Sequence, residues 1–199
     1  GLKALCKVAG RTLNKLDSQD LGFAIGPRLN AAGRLDDMTI GIRCLLAEDA
    51  ATASETATAL DELNQVRRLL EQEMVRDAEL IVAGRDDTVD DRYGVCVYDP
   101  SWHQGIVGIV AGRLRERFER PACGVALEDG TGRGSGRSVP GVALGPAVIA
   151  AHQDGILING GGHAAAAGFT VAEGRIGDLH DFLEQHMERQ LDGAALIPH

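Results

Sequence analysis

Residues 93–127 read YGVCVYDPSWHQGIVGIVAGRLRERFERPACGVAL, and this stretch decides the fold. Residues 93–98 and 122–127 are short apolar runs bounded by charged residues, a pattern typical of buried strands. Between them, residues 105–118 place apolar side chains at helical spacing. The order strand, helix, strand predicts a β-α-β unit.

The chain downstream of this unit alternates turns, strands and helices. In order, the pattern predicts a turn at 128–130, a Gly/Ser/Arg strand at 132–139, a short helix at 144–152, a glycine-rich turn, a strand at 166–171 and an amphipathic helix at 176–191. With the β-α-β unit, these elements predict an α/β fold in which a mixed β-sheet is flanked by helices.

Upstream, residues 52–84 have the pattern of one long helix. Thr52 and Glu55 have the spacing of a capping box, and Gly84 suits a C-terminal cap. The predicted inward stripe includes Leu60, Leu63, Val66, Leu70, Met74, Ala78 and Ile81. Such a helix is roughly 45 Å long, more than a compact domain of this size needs. We therefore predict an N-terminal helical and loop segment at 1–51, a connector helix at 52–84 and an α/β domain at 92–192.

The composition is typical of a soluble globular protein. The 199 residues are 44% apolar. No apolar run approaches the roughly 20 residues of a membrane span, and the first residues lack a signal-peptide pattern. We therefore expect a cytoplasmic protein without a membrane partner. The net charge of −9 is uneven: residues 44–91 carry −9 and 164–199 carry −4, whereas 1–43 carry +3 and 92–163 carry +1. The acidic excess thus lies on segments with helical periodicity.

No pattern in the chain predicts a metal site. Cys6, Cys44, Cys96 and Cys123 are widely spaced and lack CxxC or Cys/His pairings, so we expect buried free thiols rather than zinc ligands or disulfides. Asp86, Asp87, Asp90 and Asp91 are expected to form a solvated acidic loop. Phosphodiester hydrolysis by metal ions needs converging Asp and His ligands, and the sequence offers no such cluster.

The segment NGGGHAAAAG at 159–168 is suited to close contact with a ligand. His163 lies between a triple glycine and four alanines. The amides of Gly161 and Gly162 can turn towards an anion because no Cβ restricts the backbone, and a phosphate is the natural guest. The alternative is a strand that crosses closely under a helix.

The segment GRGSGRSVP at 132–140 offers guanidinium groups and hydroxyls. Arg137 binds phosphate well because its guanidinium is a planar fork, and Ser135 and Ser138 add hydroxyl donors. We expect Ser135 and Arg137 to face opposite sides of the strand, unless Gly136 relaxes the pleat. The alternative is an exposed edge strand that its charges keep soluble.

Two further segments repeat this chemistry. His103 follows the first predicted strand, where open α/β sheets bind ligands, although such a histidine also serves as a cap or packing residue. Residues 26–35, GPRLNAAGRL, are expected to form a loop that presents Arg28, Asn30 and Arg34. Several small-residue segments with Arg or His in one chain favour a shared phosphate-containing ligand.

These segments together resemble the RecJ-type exonucleases of the DHH phosphoesterase superfamily. The likeness covers about residues 20–175 and rests on four motifs in order: GPRLNAAGRL at 26–35, WHQGIVGIVA at 102–111, GSGRS at 134–138 and GGHAAAAG at 161–168. The last motif is general to the superfamily, whereas the first, with the others, is typical of RecJ. The resemblance identifies the C-terminal half of such an enzyme, with its DHH-associated domain.

The resemblance implies a function divided between two domains. An N-terminal DHH domain binds Mn²⁺ or Mg²⁺ and hydrolyses single-stranded DNA from the 5′ end, and DNA runs between it and the DHH-associated domain. Ser135 and Arg137, with Arg28 or Arg34, then bind the terminal phosphate or the backbone, and His103 is a further contact. His163 faces the metals as a catalytic helper.

The Asp-His-His segment of that family is absent from this chain. We therefore expect a fragment that binds nucleic acid weakly, holds no metal and has no nuclease activity by itself. Two alternatives stay open: the equivalent half of a DHH phosphodiesterase for cyclic dinucleotides or very short RNA, and a tRNA-binding appendage as in alanyl-tRNA synthetases. The sequence leaves the oligomeric state open.

Overall fold

The computed structural model describes residues 1–85 and 92–191. The chain divides into two compact units, Gly1–Leu70 and Glu71–His199, and the division falls within one long helix. Each unit is described by itself. The predicted limits 1–51, 52–84 and 92–192 remain a prediction, and residue 192 lies outside the described residues.

The first unit is helical. Its elements are α1 (Leu2–Val8), a 3₁₀ turn (Leu13–Lys15), α2 (Ser18–Asp20), a π-helical turn (Leu21–Ile25), α3 (Gly26–Leu35), α4 (Thr39–Leu46) and the first part of α5 (Ala50–Ala83). Leu5, Ile25, Cys44 and Leu60 belong to its apolar core. This cluster brings together side chains from α1, the π-helical turn, α4 and α5.

The segment 26–35 is a helix, so the prediction of a loop was wrong. Pro27 lies in the first turn of α3, directly after the π-helical turn, and its fixed φ suits the start of a helix. Ala31 and Ala32 are fully buried. The small residues therefore serve close helix packing.

Helix α5 runs from Ala50 to Ala83, close to the predicted bounds. Its cap differs from the prediction, because the Asp49 carboxylate, rather than Thr52, accepts a hydrogen bond from the first turn, at 2.8 Å from the Thr52 nitrogen. The predicted inward residue Val66 is 48% exposed, whereas Asn64, one turn after buried Leu60, is buried. Of the other predicted residues, Leu60, Met74 and Ala78 are buried and Leu63, Leu70 and Ile81 are partly buried, so the apolar pattern located most of the inward face.

The second unit contains a five-stranded mixed sheet, in agreement with the predicted fold class. Its strands are β1 (Val95–Asp99), β2 (Ala122–Glu128), β3 (Thr131–Arg137), β4 (Asn159–His163) and β5 (Ala166–Ala172), in the spatial order β1-β2-β3-β5-β4. Strands β1 and β2 are parallel and the other pairs are antiparallel. Asp129 and Gly130 both have positive φ in the β2–β3 turn, as a two-residue hairpin requires.

Helices cover the two faces of the sheet unequally. Helix α6 (Val107–Phe118) packs on β2 and β3 on one face. On the other face, α7 (Leu144–Gln153) packs on β4, β5 and α8 (Ile176–Gln190), and a 3₁₀ turn (Glu173–Arg175) precedes α8. The main core lies on this second face and includes Val125, Leu144, Phe169 and Leu179.

The glycine-rich run predicted as a turn is mostly a strand. Residues 159–163 form β4, which pairs with β5 and leaves only residues 164 and 165 as the connection. Helix α7 lies so close to β4 that a Cβ on Gly145 would come within 2.6 Å of the His163 carbonyl oxygen. The alternative interpretation, a strand under a helix, therefore describes this part of the fold.

All four cysteines are free and buried, in agreement with the prediction. Burial raises the pKa of Cys96 to about 11, and it also raises the pKa of Cys123. Both thiols are therefore protonated at neutral pH.

Candidate functional site

Strand β3 places its glycines on one face of the sheet and its polar residues on the other, because successive residues of a strand point to opposite faces. Gly132, Gly134 and Gly136 face the main core: a Cβ on Gly134 would overlap the Phe169 ring, and one on Gly136 would lie 2.5 Å from a Leu144 methyl group. The polar residues Thr131, Arg133, Ser135 and Arg137 occupy the alternate positions. The apolar core is thus tightly packed on one face, and the other face of β3 is polar.

Ser135 and Arg137 lie side by side on this polar face, so the prediction that they face opposite sides was wrong. Residues i and i+2 of a strand share a face. The Arg137 Nη1 donates to the Ser135 Oγ at 3.0 Å and to the Gly136 carbonyl oxygen at 2.8 Å. Among the described residues, no carboxylate pairs with Arg137. Its guanidinium is therefore held in place by neutral groups.

A surface of very small residues extends from this pair across the sheet. Ser135 pairs with Gly168, which pairs with Gly161, and Arg137 pairs with Ala166, which pairs with His163. Directly paired residues share a face, so Arg137 and His163 stand on the same side, with β5 between their strands. Their backbones are two strand spacings apart, roughly 10 Å.

This surface, called here the glycine floor (Gly161, Ala166 and Gly168), is open in the described part of the chain. Nothing described lies within 4 Å of a Cβ added at Gly161, and only the Gly134 carbonyl oxygen, at 3.9 Å, is near one added at Gly168. Helix α6 borders the floor beside β3: a Cβ on Gly108 would lie 3.1 Å from the Ser135 Oγ and 3.2 Å from the Arg137 Nη2. The open floor and the Arg137 guanidinium therefore lie next to each other on one face of the sheet.

His163 is exposed at the end of β4, and its ring makes no hydrogen bond within the described residues. Gly162 has a packing role, because a Cβ there would overlap the Ala166 carbonyl oxygen. Phosphate binding by the amides of Gly161 and Gly162 stays a prediction.

Two predicted ligands have structural contacts. Ser138 is buried, and its hydroxyl donates to the Val142 carbonyl oxygen at 2.7 Å, which fixes the segment after β3. His103 is half-buried, and its Nδ1 accepts from the Gly105 nitrogen at 3.1 Å, which orders the segment before α6. Because Nδ1 is occupied, Nε2 is the His103 atom left to contact a ligand.

The three predicted ligands of the first unit lie on α3. Arg28 is 12% exposed, and its Nε lies 2.7 Å from the Asp61 Oδ1 of α5. Its Nη1 donates to the Ala24 carbonyl oxygen at 2.7 Å. Asn30 and Arg34 are exposed. Arg28 therefore holds helices of its own unit together, and Asn30 and Arg34 are the more accessible of the three.

Arg133 was missed as a site residue by sequence reasoning. It is exposed on the same face as Ser135 and Arg137, and it makes no ion pair with any described residue. The signal was its spacing of two and four residues from that pair. Gly108 was missed as well, and its closeness to Ser135 depends on packing that the sequence does not reveal.

The described residues do not fit a catalytic metal. Within 1–85 and 92–191, no group of three or more His, Cys, Asp or Glu side chains could hold a metal ion. The acidic residues Asp86, Asp87, Asp90 and Asp91 lie outside the described residues. In the same ranges, no helix is long and apolar enough to cross a membrane.

The protein-family model of the DHHA1 domain matches residues 90–189, half of the chain. The chain belongs to the DHHA1 domain family. Among curated proteins, it is 46% identical over 180 residues to the single-stranded-DNA-specific exonuclease RecJ of Escherichia coli, a match that covers 87% of this chain and 31% of that protein. The RecJ of Bacillus subtilis is 34% identical, over 100% of this chain and 25% of that protein. The resemblance to RecJ is thereby confirmed, and this DHHA1 chain spans about a quarter to a third of the length of the curated relatives it matches.

Solved RecJ structures share the fold of this DHHA1 protein. RecJ from Thermus thermophilus in complex with Mg²⁺ superimposes with a TM-score of 0.81 at 32% identity, and the match covers 94% of this chain and 28% of that one. An exonuclease RecJ bound to manganese gives a TM-score of 0.78 at 31% identity, covering 98% and 47%. The structural likeness thus includes both units of this chain.

Proposed function

We propose that this chain is the substrate-binding part of a RecJ-type exonuclease that degrades single-stranded DNA from the 5′ end in DNA repair and recombination. The observation that carries the proposal is the Arg137 guanidinium, which Ser135 braces beside the open glycine floor without any described carboxylate partner. The similarity to RecJ supports the assignment of the substrate.

Arg137 is suited to a terminal phosphate because no carboxylate in the described part of the chain neutralises its charge. Its Nη1 is used for the contacts with Ser135 and Gly136. A guanidinium has five N–H donors, so the three on Nε and Nη2 remain for a phosphate. Hydrogen bonds between an ionised donor and a phosphate are roughly twice as strong as neutral ones. Ser135 positions the guanidinium, and Arg137 is the main phosphate ligand.

His163 lies on the same face of the sheet as Arg137, across the glycine floor. We propose that it contacts the scissile end of the DNA strand from the side of the floor opposite Arg137. The hydrolysis itself is assigned to a catalytic DHH domain that binds Mn²⁺ or Mg²⁺, the partner of this chain in the intact enzyme. These ions supply the Lewis acid and the activated water for hydrolysis. His163 is thus a helper residue, and this chain is proposed to bind DNA without cleaving it.

The remaining predicted ligands differ in how accessible their side chains are. Asn30 and Arg34 are accessible, and His103 retains one ring nitrogen for a ligand. Arg28 is only 12% exposed and Ser138 is buried. We propose the first three as additional contacts with the DNA backbone, and Gly161 and Gly162 as backbone donors.

Fluorescence anisotropy with 5′-phosphorylated and 5′-hydroxyl single strands tests this function. Arg137→Ala is expected to weaken binding of the phosphorylated strand about tenfold to hundredfold, because a charged hydrogen bond contributes about 1.5–3 kcal/mol. Arg117→Ala is the charge-matched control, since Arg117 is 69% exposed on α6 and pairs with Glu79. The function is wrong if Arg137→Ala and His163→Ala leave both this binding and the cleavage by an intact enzyme unchanged.

The length dependence of binding separates this function from its alternatives. An exonuclease for DNA strands should bind a 5′-phosphorylated dodecanucleotide more tightly than a dinucleotide, because a longer strand adds phosphate contacts. Equal affinity for both would favour the phosphodiesterase alternative, and a preference for tRNA over single-stranded DNA would favour the synthetase-like appendage.

A further inference from the structure

Arg133 is a second guanidinium on the polar face of β3, and it makes no ion pair with any described residue. It lies four residues from Arg137, which separates their Cα atoms by about 13 Å along the strand. Consecutive phosphates of an extended single strand lie further apart than the roughly 3.4 Å rise of a duplex strand. A strand that has its terminal phosphate at Arg137 and runs along β3 therefore brings an internal phosphate to Arg133 within a few nucleotides.

The surroundings of Arg133 differ from those of Arg137. Arg133 pairs with Thr170, and Thr170 pairs with Asn159, so a hydroxyl and an amide stand beside it on the same face. The equivalent positions beside Arg137 are Ala166 and His163. The residue paired with Arg137 thus has no polar side chain, whereas the residues beside Arg133 can form hydrogen bonds.

A pocket of about 220 Å³ opens next to Arg133, between β2 and the segment after β1. Besides Arg133, its polar lining residues are His103, Gln104 and Glu128, and Pro100 and Trp102 form apolar walls. Gln104 both donates and accepts, Glu128 accepts and the free nitrogen of His103 completes the set. This mixture matches the edge of a nucleobase, whose polar atoms also alternate between donors and acceptors.

The carboxylate of Glu128 decides which part of a nucleotide enters the pocket. A phosphate there would be repelled by Glu128, whereas an uncharged base is not. Arg133 is exposed at the pocket and attracts the phosphodiester. A nucleotide at this position would therefore place its base inside the pocket and its phosphate at the rim, next to Arg133.

We propose that Arg133 and this pocket form a second nucleotide subsite, in which Arg133 binds an internal phosphodiester and the pocket accepts one base of the same strand. The subsite rests on the proposed function, because it takes the strand whose end lies at Arg137. It makes binding depend on strand length, independently of recognition of the 5′ phosphate.

The test compares 5′-phosphorylated thymidine dinucleotide and hexanucleotide by anisotropy over a series of salt concentrations. Arg133→Ala is expected to weaken hexanucleotide binding about threefold to tenfold and to reduce the slope of log affinity against log salt by about 0.7, the value for one phosphate contact on a single strand. Dinucleotide binding and the preference for a 5′ phosphate should not change. Arg117→Ala controls for the loss of one positive charge from the same unit.

The base pocket is tested with hexanucleotides that carry one abasic site at each position in turn. An abasic site at one particular position should weaken binding to the unaltered chain. The double variant Gln104→Ala, Glu128→Ala should bind all of these hexanucleotides equally. If no position matters, or if Arg133→Ala behaves like Arg117→Ala, the subsite is wrong. Failure of the proposed function is distinct, because Arg137→Ala would then leave the 5′-phosphate preference intact. Far-ultraviolet circular dichroism verifies that each variant is folded.

Discussion

At the scale of single residues, the missing side chain of Gly108 leaves room for Ser135 and Arg137. Gly108 faces their polar ends, and an added Cβ would lie 3.1 Å from the Ser135 Oγ and 3.2 Å from the Arg137 Nη2. Both contacts are shorter than ordinary van der Waals distances. A methyl group there must therefore displace the side chains that we propose to bind the phosphate.

Gly108→Ala is expected to weaken binding of a 5′-phosphorylated strand roughly twofold to tenfold, the effect of disturbing one hydrogen bond of about 0.5–1.5 kcal/mol. Gly112→Ala is the matched control, because Gly112 lies one turn later in α6 and a Cβ there has no described atom within 4 Å. Alanine favours a helix over glycine by about 0.8–1.0 kcal/mol, so urea unfolding should show Gly112→Ala to be more stable. Equal binding by both variants would mean that Gly108 does not position the pair.

At the scale of elements, the contact between α7 and β4 fixes the position of the glycine-rich strand. A Cβ on Gly145 would lie 2.6 Å from the His163 carbonyl oxygen and 2.7 Å from the Gly162 carbonyl carbon. These atoms are backbone and cannot rotate away. The helix can approach β4 only because residue 145 is a glycine.

Gly145→Ala is expected to lower the free energy of unfolding by about 1–3 kcal/mol, as overpacking a core does. Gly177→Ala is a close control, because both glycines are the second residue of their helix and a Cβ at Gly177 has no described atom within 4 Å. Urea unfolding monitored by circular dichroism measures both. A stability of Gly145→Ala equal to that of Gly177→Ala would contradict the tight α7–β4 contact.

The elements that sequence predicted well are those with a strong local pattern. The apolar runs of β1 and β2 and the periodicity of α5, α6 and α8 are properties of the segments themselves. Helix α3 was missed because its glycines, Pro27 and Asn30 disfavour a helix, and strand β4 was missed because glycine disfavours a strand. Both elements depend on packing partners distant in sequence.

The candidate site, like the fold, was predicted where local sequence was informative and missed where long-range packing decides. Residue chemistry was enough to select Ser135, Arg137 and His163. Their common face became apparent only from the register of three strands, which pairs Arg137 with Ala166 and Ala166 with His163. Arg133 became a candidate only because it lines a pocket formed by β2 and the segment after β1. No local pattern contains these long-range pairings.

At the scale of the whole molecule, the net charge of −9 does not describe the candidate site. The polar face of β3 carries Arg133 and Arg137, and neither is paired with a described carboxylate. Exposed charges more than about 10 Å away are largely screened at 0.1 M salt. Nearby groups therefore set the potential at the site more than the net charge does, with Glu128 opposing Arg133 at the pocket. Binding of an anion at Arg137 is consistent with the acidic composition of the chain.

The division between binding and cleavage yields the last prediction, which concerns the metal ions. Because Arg137 is proposed to hold the phosphate through hydrogen bonds and no described cluster can hold a metal, EDTA is expected to leave the affinity for a 5′-phosphorylated strand unchanged. In the same samples, Mn²⁺ or Mg²⁺ should produce no mononucleotides, measured by chromatography beside intact E. coli RecJ as the positive control. Weaker binding in EDTA would make a metal ion part of the phosphate site. Cleavage that His163→Ala abolishes would place a catalytic metal on this chain.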